Sequence, residues 1–198
     1  GYLEQDEASG RYKLGIQAFK LGYALKDTFS IIKICQPFMQ ELANKSNQRV
    51  YLAIPYETEI YYLEATYPIE SVTLMRSVFG MKASYHCTGL GKAMLAYMSQ
   101  DFVEEICSRP LKRFTENTIT QGERLKEELE LIRGRGYAID DMEHEFGIRC
   151  VAIPIRNAAG TVLAALSISG AYRDFPEEKV ESYALMLKED IMEIEKRI

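Results

Sequence analysis

Histidine and paired cysteines are scarce in this chain. Only two histidines occur in 198 residues, and the four cysteines, Cys35, Cys87, Cys107 and Cys150, form no C-x-x-C pair. The spacing of His86, Cys87, His144 and Cys150 matches no zinc signature. Those thiols are expected to lie in or beside helices and strands of a protein of the reducing cytoplasm, not in a disulfide framework. Basic residues are also short: 24 Lys and Arg against 29 Asp and Glu give a net charge of -5. That balance argues against nucleic-acid binding by this piece itself. No apolar run is long enough to span a bilayer, and the N-terminus carries no signal-peptide pattern. What remains is ordinary for a soluble globular chain, with 47% hydrophobic and 27% charged residues. The length suits one domain with room for a small appendage.

The most informative stretch runs from Asp140 to Gly170. The acidic segment Asp140-Asp141-Met142-Glu143-His144-Glu145 ends at Gly147 and turns into the apolar run Cys150-Val151-Ala152-Ile153-Pro154-Ile155. Asn157-Ala158-Ala159-Gly160 punctuates it, and Val162 to Ser169 returns as a second apolar run. Two such runs joined by a short Asn/Gly loop predict a hairpin. Alternation places Ser167 and Ser169 on one face and Leu166 and Ile168 on the other. Two hydroxyls near a thiol, behind an acidic loop, suit the floor of a small polar pocket. A sheet face that merely tolerates serine is the commoner arrangement for a hairpin taken alone.

Around that hairpin the chain predicts alternating helical and extended segments. Ile16 to Gly22 reads as a short, glycine-broken connecting helix. Asp27 or Thr28 caps a second helix with Ile31, Ile34, Cys35, Phe38 and Leu42 as its apolar stripe, kinked at Pro37. Val50–Ile54 and Glu59–Glu64 form a second hairpin, and Val72 to Val78 a third strand candidate. Thr88 caps a helix running to Met98, Ser99 or Asp101 starts a short one to about Ser108, and Thr120 with Glu123 makes a capping box before Leu125, Leu129 and Ile132. Gly134 and Gly136 stop that helix. A last helix carries the stripe Val180, Tyr183, Leu187, Ile191 and Ile194. The expected class is α+β, an antiparallel sheet with helices packed on it.

His86-Cys87-Thr88-Gly89-Leu90-Gly91-Lys92 has the look of an anion loop. A dinucleotide fingerprint is excluded because Met94 occupies its last glycine position and no apolar strand precedes it. A phosphate-binding P-loop fails as well, with Ala93 in place of Ser/Thr and His86 in place of the first glycine. Two readings remain evenly matched: a cradle for a small anion at a helix start, or a helix start that needs glycine to approach the sheet. A Cys150–histidine nucleophile pair lacks a third orienting group. Asp140, Asp141, Glu143 and Glu145 fit acid–base work, although a solvated acidic loop is commoner.

Five pieces in order resemble one family. They are Tyr12-Lys13-Leu14-Gly15, His86-x-Thr88-Gly89-x-Gly91-Lys92-Ala93, Phe114-Thr115-x-x-Thr118-Ile119, the run from Gly136 to Pro154, and Ser167-x-Ser169-Gly170. Together they are similar to the effector-binding domain of bacterial transcription regulators of the isocitrate-lyase-regulator (IclR) type. The resemblance implies a GAF-like fold, a curved antiparallel sheet whose loops bind a small carboxylic or aromatic acid, and no enzymatic activity or cofactor. It further implies that residues 1–13 are the remnant of a winged helix-turn-helix, 14–27 a linker helix and 28–198 the effector domain. Operator DNA would then be bound only through the missing domain, and the chain would self-associate as a dimer or tetramer.

By the same resemblance, Gly89 and Leu90 supply helix-start amides to the effector. Asp140, Cys150, Ser167 and Ser169 line the pocket, and Met75, Ser77 and Phe79 belong to the loop over it. Leu90 is larger than the alanine often found there, and Phe79 and Met81 add bulk, which weighs against the smallest ligands. An ionised Asp140 would repel a ligand anion, so it is expected either to accept from a ligand hydroxyl or to be protonated by burial. The alternatives are a metal or thiol sensor using Cys150 with Cys87, His86 or His144, and a small hydrolase or isomerase with Cys150 as nucleophile.

Overall fold

Six antiparallel strands carry the architecture of the computed structural model, which describes residues 1–70 and 77–198. In chain order the elements begin with a two-stranded ribbon, β1 (Leu3–Gln5) and β2 (Tyr12–Leu14), followed by α1 (Gln17–Thr28) and α2 (Ser30–Ser46). Next come β3 (Arg49–Tyr56), β4 (Glu59–Thr66), β5 (Lys82–Ser84), a 3-10 turn over Tyr85–Cys87, α3 (Gly89–Leu95), α4 (Gln100–Ser108) and α5 (Gly122–Arg135). The chain ends with β6 (Ala138–Asp141), β7 (Ile148–Arg156), β8 (Val162–Ala171) and α6 (Glu178–Glu195). Strand order in the large sheet is β5-β4-β3-β8-β7-β6. The α+β expectation holds, and among the described residues no helix is long and apolar enough to cross a membrane.

Alternation along the strands divides the interior in two. Val50, Leu52, Val151, Ile153, Leu166 and Ile168 point to the face covered by α2 and α6. Ala53, Ala138, Ala152 and Ala165 point to the opposite face, where α3, α4 and α5 pack. Large side chains on one face and alanines on the other let α3 sit close to the sheet. The stripe on α6 is the one expected, with Val180, Tyr183, Leu187, Ile191 and Ile194 all buried.

Several local expectations are corrected. The first helix runs on through Gly22 to Thr28; a Cβ at Gly22 would meet nothing within 4 Å, so no neighbour demands glycine there. Asp27 and Thr28 do not cap α2. Thr28 Oγ1 instead donates to Leu25 O, closing α1, and α2 starts at Ser30 without a side-chain cap. Its buried face is Ile32, Cys35, Met39, Leu42 and Ala43, with Ile31, Ile34 and Phe38 flanking it. Pro37 lies on the exposed side of α2, which continues through it, and water can donate to the Lys33 carbonyl that proline leaves without an N–H partner. The Thr120–Glu123 box does not form: the N-cap of α5 is Gln121, without a side-chain bond, and Thr120 Oγ1 accepts from Arg113. Most of the strand expected over 72–78 lies outside the described residues, Ser77 and Val78 are not in a strand, and the strand that pairs with β4 at the sheet's edge is β5, Lys82–Ser84.

Candidate functional site

Register across the large sheet sets four polar side chains in one row. Arg49 on β3 faces Ser169 on β8, Ser169 faces Cys150 on β7, and Cys150 faces Asp140 on β6. Directly opposed residues in antiparallel strands project to the same face, so cation, hydroxyl, thiol and carboxyl line up side by side. The neighbouring row on that face is Tyr51, Ser167, Ala152 and Ala138. Cys150 Sγ lies 2.8 Å from Ser169 Oγ.

The start of α3 roofs part of these rows. Thr88 Oγ1 accepts from Gly91 N, and Thr88 O accepts from Lys92 N. Among the described residues the amides of Gly89 and Leu90 have no such acceptor, as befits the first turn of a helix. Only the second of the two glycines has a packing reason. A Cβ on Gly89 would lie 3.4 Å from Ala152 Cβ and 3.5 Å from Cys150 Cβ, whereas one on Gly91 would come within 2.6 Å of the Tyr85 backbone. Close approach to the Tyr85 backbone therefore accounts for Gly91, whereas Gly89 meets the sheet at ordinary contact distances.

Floor and roof enclose a cavity of about 350 Å³. Gly89, Leu90, Asp140, Cys150, Ser167 and Ser169 all line it. The loop residues named beside them do not behave alike. Met75 lies outside the described residues, and Ser77 is exposed away from the lining. Phe79 packs against the α2/α6 core with Lys26 Nζ 5.6 Å from its ring centroid. Val78 and Met81 line the cavity instead. His144 and Glu145 of the acidic segment also line it, as do Tyr67 and Ile148 and, missed in the sequence, Arg49, Tyr51, Tyr62 and Lys82. The alternation Arg49-Val50-Tyr51-Leu52 was the available signal, but only strand pairing shows which residues it opposes.

The acidic loop beside the row is held rigidly from below. Thr118 Oγ1 donates to Glu143 O at 2.6 Å, Thr115 Oγ1 to Met142 O at 2.6 Å, and Asn117 Nδ2 to Asp141 O at 2.9 Å. Lys92 is buried and its ammonium pairs with the Glu143 carboxylate, with Glu128 3.9 Å away. The Gly91-Lys92 pair that suggested a phosphate loop thus supplies a packing glycine and a buried anchor. Asp140 Oδ1 accepts from Glu143 N at 2.8 Å.

Burial, then the neighbouring Glu143, pushes the Asp140 carboxyl up to about 7. Desolvation and then Asp140 also raise the Cys150 thiol far above its ordinary range, and Ser169 offsets little of this. Burial lowers His86 and His144, favouring neutral rings. His86 Nε2 is engaged with Lys112 O at 2.9 Å, and Cys87 Sγ is directed at Ser84 O. Among the described residues, no group of three or more His, Cys, Asp or Glu converges as metal ligands. The metal and thiol alternatives find no support in this arrangement.

Comparison with known proteins follows the same line. The family described as bacterial transcriptional regulator IclR C-terminal matches residues 24–195. The HTH-type transcriptional regulator KdgR of Escherichia coli K12 is 34% identical over 190 residues, which is 94% of this chain and 71% of that protein. KdgR of Dickeya chrysanthemi is also 34% identical, but the chain spans only 61% of it. The transcriptional repressor IclR of E. coli K12 is 30% identical, covering 94% of this chain and 69% of the repressor. Among solved structures, the Thermotoga maritima IclR superposes with a TM-score of 0.85 at 35% identity, covering 100% of this chain and 79% of that one. The C-terminal domain of E. coli KdgR gives a TM-score of 0.74 at 32% identity, over 84% of this chain and 96% of that domain.

Proposed function

The chain belongs to the IclR family of bacterial transcriptional regulators, and on that premise we propose that it is a ligand-sensing domain whose cavity takes a small organic acid. The relatives are regulators, not enzymes. The observation that carries the reading is convergence: the free amides of Gly89 and Leu90, the hydroxyls of Ser167 and Ser169, and the Cys150 thiol border one cavity. Donors of that kind suit a carboxylate, while Leu90, Val78 and Met81 suit its carbon part. Asp140 is compatible with an anion because burial raises its carboxyl to about 7, bringing the neutral acid within reach at neutral pH. Of the loop residues expected at the site, Ser77 and Phe79 are set aside in this proposal in favour of Val78 and Met81.

Ligand occupancy would bias DNA binding by a winged domain preceding this chain. We assign residues 1–13 to the end of that domain, 14–27 to a linker helix and 28–198 to the sensor. The β1–β2 ribbon is in keeping with a wing, and α1 buries none of its residues while exposing Phe19, Tyr23 and Leu25. An apolar helix of this kind suits self-association as a dimer or tetramer in the cytoplasm.

Calorimetry with hydroxy-, keto- and aromatic acids on the wild type and Ser169→Ala tests the cavity. A charge-assisted hydrogen bond contributes roughly 1.5–3 kcal/mol, so the variant is expected to bind roughly tenfold to a hundredfold more weakly. Its thermal midpoint without ligand should barely move, since the lost partner is only a weakly donating thiol. An acid that binds both proteins equally well would place the site elsewhere.

A further inference from the structure

Arg49 stands out among the cavity's charges because, among the described residues, no carboxylate pairs with it, although Asp140 and Glu145 line the same cavity. Lys82, the other strong base in the lining, is paired with Glu59 at 2.8 Å. Among the described residues Arg49 has no Asp or Glu within ion-pair distance, and the six residues 71–76 contain neither. Elsewhere on the same sheet Arg149 is bound to Asp141 at 3.0 Å, which is what a partly buried guanidinium ordinarily requires. Arg49 is half-buried, lines the cavity, and has the Tyr51 hydroxyl beside it. A planar fork of donors facing an enclosed polar space is built for bidentate capture of a carboxylate.

Position in the row decides what that carboxylate belongs to. Gly89, at the start of α3, packs over Cys150, Ala152 and Asp140, on β6 and β7. Arg49 is on β3, two strands from Cys150 with Ser169 between them. At about 4.8 Å per strand the Cα atoms of Arg49 and Cys150 are about 10 Å apart, a span that leaves a ligand lying along the row room for one carboxylate at each end. We propose that Arg49 is a specificity-determining residue that receives a second carboxylate, so that the ligand is a short dicarboxylic acid lying along the row from the α3 amides across Ser169 to Arg49. This rests on the reading of the cavity as an organic-acid site and goes one step further, to the class of acid. The plainer role, a surface cation at a strand start, leaves the guanidinium's place in the cavity wall and its missing carboxylate without a reason.

Paired probes separate the two claims. Succinate, glutarate and adipate are titrated calorimetrically against butyrate, pentanoate and hexanoate at one pH, on the wild type, Arg49→Gln, Arg49→Lys and Ser169→Ala. The wild type is expected to prefer at least one diacid over its monoacid partner by roughly tenfold or more, the effect of one charge-assisted contact. Arg49→Gln should bring that ratio close to one, and Arg49→Lys should restore part of it, with thermal midpoints confirming that both variants fold. Equal wild-type binding of diacids and monoacids, a preference that survives Arg49→Gln, or no diacid binding at all would each overturn the inference. Monoacid binding that Ser169→Ala weakens, without any diacid preference, would overturn the role of Arg49 and leave the acid-binding cavity standing. Binding indifferent to Ser169→Ala would instead remove the cavity assignment.

Discussion

Cys150 and Ser169 are partners across β7 and β8, with Sγ and Oγ 2.8 Å apart on the wall of the cavity. The contact by itself favours the thiolate, yet the thiol stays a quiet polar group. Desolvation and the neighbouring Asp140 both disfavour the thiolate, and a hydroxyl neighbour does little to restore it. A nucleophile or redox sensor needs the opposite: a cationic setting that lowers the thiol pKa.

Cys150 should therefore alkylate slowly in the folded chain. A free thiol titrates near about 8.5, and each unit above that removes about tenfold of the thiolate at a given pH. Iodoacetamide labelling followed by peptide mass spectrometry should find Cys150 at least roughly tenfold slower than the same peptide in denaturant at pH 8. A labelling profile for Cys150 that inflects below pH 8 would contradict this and revive the thiol alternatives.

The two glycines at the start of α3 should respond differently to alanine. A Cβ at Gly91 meets Tyr85 Cα and O at 2.6 Å, and backbone cannot swing aside, so overpacking should cost about 1–3 kcal/mol. At Gly89 the nearest atoms lie at 3.4–3.7 Å, ordinary contact distances, and alanine is the better helix former. In thermal denaturation Gly91→Ala should lose several degrees, at about 2–4 °C per kcal/mol for a chain of this size, while Gly89→Ala stays near the wild type. Equal losses would mean that α3 is not seated as described. A larger side chain at 89 would press on the sheet rather than enter the cavity.

These contrasts also show what could be read in advance. The central hairpin, the face of Ser167 and Ser169, the Thr88 cap and the α6 stripe were legible because each depends on neighbours close in sequence. The stripe on α2 was displaced toward Ile32 and Met39 because apolar residues occupy most of its circumference and only the sheet selects among them. Arg49 escaped notice because its place beside Ser169 is a matter of pairing between segments about 120 residues apart, and local periodicity carries no register between distant strands. Phe79 falls outside the cavity lining for a related reason: a loop phenylalanine packs on any apolar surface within reach, and here that is the α2/α6 side. The family resemblance brought Gly89, Leu90, Asp140, Cys150, Ser167 and Ser169 together on paper, but it did not point to Arg49.

Asp140 makes both stability and ligand affinity depend on pH, in directions that can be worked out. Its carboxyl is raised from an ordinary 3.8 to about 7, chiefly by burial. Between those values the folded chain keeps a proton that the unfolded chain has released, so this group's contribution to stability falls as pH rises from about 4 to about 7 and is level above. Asp140→Asn preserves an oxygen for the Glu143 amide and removes the charge, so its thermal midpoint should gain on the wild type between pH 5 and pH 8. An anion bound over the α3 amides would raise the carboxyl further, and binding should take up protons. Wild-type affinity for an acid ligand should then weaken as pH climbs through about 7, by up to about tenfold per unit, and Asp140→Asn should flatten the dependence. Calorimetry at pH 6, 7 and 8 in two buffers of different ionisation enthalpy reads the proton count directly. Proton release on binding, or an affinity that strengthens with pH, would mean that Asp140 meets the ligand as an ionised acceptor, and the carboxylate would have to be seated away from it.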